Sequence, residues 1–252
     1  MLLEVNVTFG VVLAVLLAVA AGVVAFARLG RPRDSLIAGG RAAVQLVAVS
    51  LVIGWVMRYL PLLLVFLLVM YGVAAWTAGR RVVPGAGRGR WWAGVPIAAG
   101  VGPVVGTLLL TGLVPVRGVA LIPVTGILIG GALTATVLGG RRALDELETR
   151  RGEVEAGLAI GLPEREARLE VARGAASDAL LPGLDQTRTV GLVTLPGAFV
   201  GMLLGGASPW EAGAVQLFVL VALMVVQAVA VAVVLELVAW GVVARGVTRT
   251  SG

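Results

Sequence analysis

The side chains of this sequence that could do chemistry stand inside long apolar runs. Asp185, Gln186 and Arg188 lie near the start of a run from about Ala179 to Leu204. Arg41 and Gln45 lie in another, from about Leu36 to Met57. In a bilayer, a charged side chain at mid-depth costs about 2.5–3.5 kcal/mol even on the gentler insertion scale, so each needs a partner or a function. Arg41 and Gln45 are four residues apart and share a helix face. At about 1.5 Å per residue, all five groups fall within roughly 15 Å of one membrane side. They are expected to form a polar cluster between two helices, serving as a gate or vestibule. The alternative is structural: an ion pair of Asp185 with Arg188 or Arg41, or side chains snorkelling to the headgroups. Glu236, near the end of the last apolar run, is expected to snorkel. Gln216 and Gln227 fit interhelical hydrogen bonding better than ligand binding.

Two stretches mix Pro and Gly into apolar sequence: residues 122–131, with Pro123 and Gly126, and residues 195–206, with Pro196 and Gly197. Proline removes a helical hydrogen bond and frees a carbonyl. Freed backbone survives in lipid only when buried in protein or lining a cavity. Paired broken segments are a mark of transport sites. Breaks are therefore predicted at Pro123 and Pro196, and close helix packing at the paired glycines.

Absent residue types narrow the chemistry. There is no Cys and no His, and all 20 basic residues are arginine. Disulfide and thiolate chemistry are excluded, as are zinc sites of the usual kind and Ser-His or Cys-His nucleophiles. A Walker A phosphate loop requires lysine, so ATP would have to be bound by another chain. No cofactor is expected in this one.

The positioning elements follow from hydropathy. The apolar fraction is 59% and charged residues are 13%, about half the charge of a soluble domain. An all-α, polytopic membrane protein with about seven spans is predicted, each near the 20 residues a bilayer core requires. The spans are about 7–27, 36–57, 62–78, 93–113, 119–138, 179–204 and 212–243. The first, with Glu4 ahead of it and no basic n-region, reads as an uncleaved helix. Trp91 and Trp92 suit an interfacial aromatic belt. The tetrapeptide AVQL recurs at 43–46 and 214–217, a faint sign of internal repetition.

Arginine placement orients the spans. With the N-terminus outside and the C-terminus cytoplasmic, sixteen arginines fall inside: Arg28, Arg31, Arg33, Arg80, Arg81, Arg88, Arg90, seven from Arg141 to Arg173, Arg245 and Arg249. Only Arg58 and Arg117 fall outside. This positive-inside bias requires an odd number of spans. It also accounts for the net charge of +6 without nucleic acid, which no basic-aromatic surface supports. Residues 139–178 hold seven arginines and nine acidic residues and form a cytoplasmic amphipathic segment within a single permease domain. Pro163 suits a helix's first turn, with Glu164 and Glu166 complementing the dipole.

The chain resembles the Fet-type iron-export permease family, membrane subunits of an ABC transporter that include plant aluminium-tolerance proteins. Four places carry the likeness. Arg41–Leu46 is similar to R-A-x-x-Q-L. Residues 122–133 are similar to I-P-x-x-G-M-I-x-G-N-x-M. Glu155-Ala156-Gly157-x-x-x-Gly161 is similar to the E-A-A-x-x-x-G coupling motif of ABC permeases. Residues 182–206 are similar to P-x-x-D-x-x-[KR]-T-V-G-L-[VI]-x-L-P-G-M-M-x-G-x-x-x-x-G, with Asp185, Arg188, Thr189, Val190, Gly191, Leu192, Leu195, Pro196 and Gly197 in place. The family's Asn is Gly131 here, and its Met positions read Ile127, Leu133, Ala198 and Phe199. Thioethers are soft ligands. Their loss leaves Asp185 and carbonyls near Pro123 and Pro196 as the candidate metal ligands, a set suited to a hard cation.

The resemblance implies a non-enzymatic permease of an ABC-type exporter in the bacterial inner membrane. It would act as a homodimer, with iron or another metal ion as cargo. Arg41, Gln45, Pro123, Gly126, Asp185, Arg188, Pro196 and Gly197 would line the pathway or gate. Glu155, Ala156, Gly161 and Pro163 would couple it to a cytoplasmic ATPase that binds ATP. The rivals are an ion-coupled secondary transporter or channel using Asp185, and a membrane anchor that transports nothing.

Overall fold

A computed structural model describes residues 6–84 and 89–245; Glu4, Arg88 and Arg249 of the arginine and span assignments lie outside them. The described residues are helical, with no strand, and divide into two compact units meeting between Tyr59 and Leu60.

The first unit is a helical hairpin. Helix α1 (Val7–Phe26) starts where the Asn6 side chain accepts a hydrogen bond from the Phe9 amide at 3.0 Å. A tight turn follows, with Arg28 at φ 52. Helix α2 (Pro32–Val56) opens with Pro32 in its first turn and Asp34 close behind, both favourable at the positive end of the dipole. Gly39 lets α2 approach α1: a Cβ there would lie 2.7 Å from the Leu17 side chain.

The second unit holds α3 (Leu60–Val82), a 3-10 turn (Arg90–Ala93), α4 (Gly94–Leu110), α5 (Gly118–Thr149), α6 (Arg151–Ala159), α7 (Glu164–Ser177), a short turn at 178–180, α8 (Leu181–Thr189), α9 (Gly197–Leu204) and α10 (Pro209–Ala239). Six helices, α1 to α5 and α10, are long and apolar enough to cross a membrane. The expected span 179–204 is not one of them, because it is broken into α8 and α9.

The packing recovers a crossing there. Gly131, Gly139 and Gly140 of α5 face Leu223, Val231 and Val234 of α10 in that order, so the two helices run parallel. The chain must therefore return along α10 before α10 begins. It does so: Ala179 lies level with Gly139 and Val231, Gly183 meets Gln227, and α9 packs on α10 next to the turn that joins them. From Val231 back to Pro209 is about 33 Å at 1.5 Å per residue, about one hydrocarbon thickness. Residues 179–208 thus form a discontinuous crossing, and the second unit has five traverses.

A second expectation is corrected. Helix α5 runs unbroken through Pro123. Pro123 comes five residues after the helix starts, so the one carbonyl it frees, that of Val119, belongs to the first turn. The real break is Val190–Pro196. There the Gly191 amide bonds the Thr194 carbonyl at 2.9 Å, with Gly191 at φ 83. Pro196 then stands directly before α9.

Candidate functional site

Helices α3, α5 and α10 all finish at one end of the second unit, where α4 starts: Val82 touches Gly140, and Gly89 touches Val242 and Val243. Most of this unit's charge gathers at that end. Arg245 bonds Asp145 at 2.5 Å and Glu148 at 3.0 Å, tying the end of α10 to α5. Arg80 lies over the Trp76 ring, 4.8 Å from its centre.

The expected amphipathic segment resolves into three different parts. Its first residues, up to Thr149, simply continue α5. Helix α6 buries no residue. Its Glu155 pairs with Arg151 at 3.0 Å, while Leu158 and Ile160 are exposed. An Arg150–Glu153 ion pair holds its first turn, and the Arg150 guanidinium keeps the Glu153 carboxyl below its usual range. Gly161, at φ 91, ends the helix in the left-handed conformation that glycine adopts without strain. Gly157 gives α7 room, since a Cβ there would sit 3.1 Å from that of Ala167. Ala156 lies on α6 between these residues. Pro163 stands at the N-cap of α7, one position before the first turn where it was expected.

Helix α7 is solvated on one face only. Ala167, Leu169, Val171, Ala172 and Ala176 are buried against α5 and α10. Glu236, expected to snorkel, is paired with an arginine of α7. Arg165 donates to both of its oxygens, from Nε at 2.9 Å and Nη2 at 2.6 Å, and the Arg165 guanidinium covers the Trp240 ring at 5.6 Å. The same bonds raise the Arg165 pKa. Arg168 donates to the Ala239 carbonyl at 3.3 Å and pairs with Glu164. A bidentate guanidinium–carboxylate pair fixes angle as well as distance. Helix α6 is therefore an exposed handle mounted on α7, and α7 is clamped to the end of α10. The clamp partners are 71 residues apart, so only the complementary signs of Arg165 and Glu236 could have hinted at it.

The transmembrane candidates are brought together only in part. Asp185 and Arg188 share α8 and form an ion pair at 3.4 Å, both side chains about two-thirds exposed. Pro196 and Gly197 open α9. Pro123 and Gly126 lie on α5, where a Cβ on Gly126 would touch Met70 at 3.1 Å. Arg41 and Gln45 lie one turn apart on α2 of the first unit, both exposed within it. No group of three or more Asp or Glu suited to a metal ion occurs among the described residues.

Gln227 holds α8, the first half of the broken crossing. It is buried between α5 and α8, with its Nε2 3.5 Å from a Cβ built on Gly131 and its Oε1 only 1.9 Å from one built on Gly183. Gly183 is thus a space shaped for this amide side chain, while Gly131 is filled first by Leu223, whose Cδ1 would lie 2.2 Å from such a Cβ.

The family profile described as "Uncharacterised protein family (UPF0014)" matches residues 8–242. Rice "UPF0014 membrane protein STAR2" is 36% identical over 201 residues, covering 78% of this chain and 70% of the relative. "Protein ALUMINUM SENSITIVE 3" of Arabidopsis thaliana is 39% identical over 155 residues, 61% of this chain and 56% of the relative. "Probable iron export permease protein FetB" of Escherichia coli is 28% identical over 198 residues, 76% and 74% of the two chains. No solved structure matches. The profile covers both units and the charged end of the helices, so the chain belongs to the UPF0014 family of membrane proteins.

Proposed function

We propose that this chain is the membrane-spanning permease subunit of an ABC-type exporter, working as a homodimer in the bacterial inner membrane. Its arginine-rich end faces the cytoplasm, with the N-terminus outside. A cytoplasmic ATPase binds and hydrolyses ATP, and this chain supplies the pathway. The observation that carries this reading is the α6–α7 arrangement. An exposed nine-residue helix bearing Glu155, Ala156 and the Gly161 stop sits on a helix clamped to α5 and α10. A docked ATPase pushing on α6 would move α7, and through Arg165–Glu236 the end of α10. Helix α10 carries the broken crossing along its length, so the motion reaches α8 and α9. That is a rigid-body route for alternating access.

Iron or another metal ion is the proposed cargo, by likeness to the Escherichia coli relative's printed name. Asp185 and Arg188 act as a charged gate on the broken crossing. Pro123 and Gly126, with Pro196 and Gly197, shape the opposite half of the path. Asp185 is the one acidic ligand available to a passing cation within that crossing.

The gate is tested by Asp185→Asn in proteoliposomes holding the chain and its ATPase. Export is expected to fall about tenfold, a barrier change of about 1.4 kcal/mol, with the assembly intact by size-exclusion chromatography. Unchanged export removes Asp185 from the mechanism. Full export without any ATPase, driven by an ion gradient alone, would support an ion-coupled transporter in its place.

A further inference from the structure

Two arginines at one corner of the second unit have no acidic partner. Between Asp34 and Asp145 the sequence contains no acidic residue, so α3, α4 and the segment joining them carry only basic charge. Arg80 and Arg81 lie in the last turn of α3, and both are exposed. No ion pair among the described residues includes either of them. The first carboxylates that follow, at the end of α5, are engaged elsewhere: Arg245 holds Asp145 and Glu148, and Arg150 holds Glu146.

Packing brings a third arginine to the same corner. A Cβ on buried Gly79 would lie 2.3 Å from the Arg90 carbonyl oxygen and 2.7 Å from the Arg90 Cγ, so the stem of Arg90 rests on α3 one residue before Arg80. One turn deeper, Gly94 sits against Ala75, and the Tyr71 hydroxyl donates to the Gly94 carbonyl at 3.2 Å. Trp76 and Arg80 follow Ala75 and Gly79 in sequence and so form the ridge beside this seam. The Arg80 guanidinium stacks on the Trp76 ring, 4.8 Å from its centre. Stacking uses the face of the guanidinium and leaves its N–H edge open, the edge that matches two oxygens of a phosphate. Trp76, Trp91 and Trp92 are all exposed. From Leu60 to Arg80 is about 30 Å at 1.5 Å per residue, one hydrocarbon thickness. Arg80 therefore stands at headgroup depth, and the tryptophans form an interfacial belt beside it.

We propose that Arg80, Arg81 and Arg90 form a binding site for the phosphodiester headgroup of an anionic phospholipid, at the seam between α3 and the start of α4. The headgroup phosphate supplies the pair of oxygens that fits the fork of Arg80. Basic pockets between transmembrane helices recognise headgroups in this way. The tryptophans make lipid, not free phosphate, the ligand: they lie where the acyl chains begin, and their rings pack on those chains. Net negative charge decides which lipid. The choline of a zwitterionic headgroup would bring a cation against three arginines, and a phosphatidylglycerol headgroup brings none. A lipid held by Arg80 of α3 and by Arg90 before α4 ties the seam together, so its binding stabilises the fold. The inference is independent of the exporter reading.

The test titrates the full chain in mild detergent with dioleoylphosphatidylglycerol or dioleoylphosphatidylcholine and follows bound lipid by native mass spectrometry. Wild type should hold phosphatidylglycerol about tenfold more tightly than phosphatidylcholine, and the anionic lipid should raise its unfolding temperature. Arg80→Gln with Arg81→Gln should erase both the preference and the thermal gain. Arg31→Gln with Arg33→Gln removes the same charge from the first unit and should leave both intact. Equal losses in the two double variants would reduce the effect to net charge and overturn the site. A wild type that does not distinguish the two lipids would overturn it as well. So would displacement of the lipid by inorganic phosphate, which would make a free anion the ligand.

Discussion

Gly89→Ala is expected to cost most of the fold's stability. Gly89 sits at φ 80, and a Cβ there would lie 2.0 Å from the Val242 carbonyl oxygen and 2.9 Å from its carbon. Two penalties add. The left-handed conformation costs a non-glycine residue about 1–2 kcal/mol. The overlap is with backbone, which no rotamer change can relieve, and overpacking of that kind costs about 1–3 kcal/mol. The position matters because it pins the segment before α4 to the end of α10, the end that α7 clamps. A loss of about 2–5 kcal/mol is a large share of a typical total. In detergent, the unfolding temperature should drop by about 4–20 °C, and the yield of monodisperse protein should collapse. An unchanged melting curve would show that this junction yields freely.

Helix α6 gives the second large effect, with the opposite signature. Glu155→Arg together with Gly161→Leu should abolish capture of the ATPase at a cost to the membrane chain of only the local strain at residue 161, about 1–2 kcal/mol. No residue of α6 is buried, so the changes remove nothing from the core. The arginine reverses the charge offered to a partner, and leucine strains the left-handed stop and redirects the chain leaving the helix. Retained ATPase should fall at least tenfold, about 1.4 kcal/mol of binding free energy, in affinity purification of the co-expressed pair. Undiminished capture would sink the proposed contact. A fall in the permease's own stability well beyond that local strain would mean that α6 is structural.

Much of this architecture is legible in the sequence because lipid imposes simple rules. Val7–Phe26 was expected to end at residue 27, and α4 at residue 113 where it ends at 110; hydropathy and length settle such spans. Arginine placement predicts an odd number of crossings; six helices are long and apolar enough to cross, and the parallel packing of α5 and α10 requires a return between them. The character of that return was readable in Pro182–Gly206, where Gly191 and Pro196 make the break. Pro123 misled because a proline's effect depends on its distance from the helix start, and hydropathy puts that start only near residue 119. The clamp was not legible. Arg165 and Glu236 belong to stretches that look like a solvated loop and a lipid-facing helix, and only folding brings them together.

Sidedness of α6 is the most direct measurement for a pathway driven from the cytosol by a separate engine. The chain has no cysteine, so Ile160→Cys, at a position 81% exposed, introduces a single reporter thiol. A membrane-impermeant maleimide should label it in inside-out vesicles and leave it untouched in sealed right-side-out vesicles. Labelling from the outer face of sealed cells would put the handle where no ATPase can reach it, and the exporter account would be wrong.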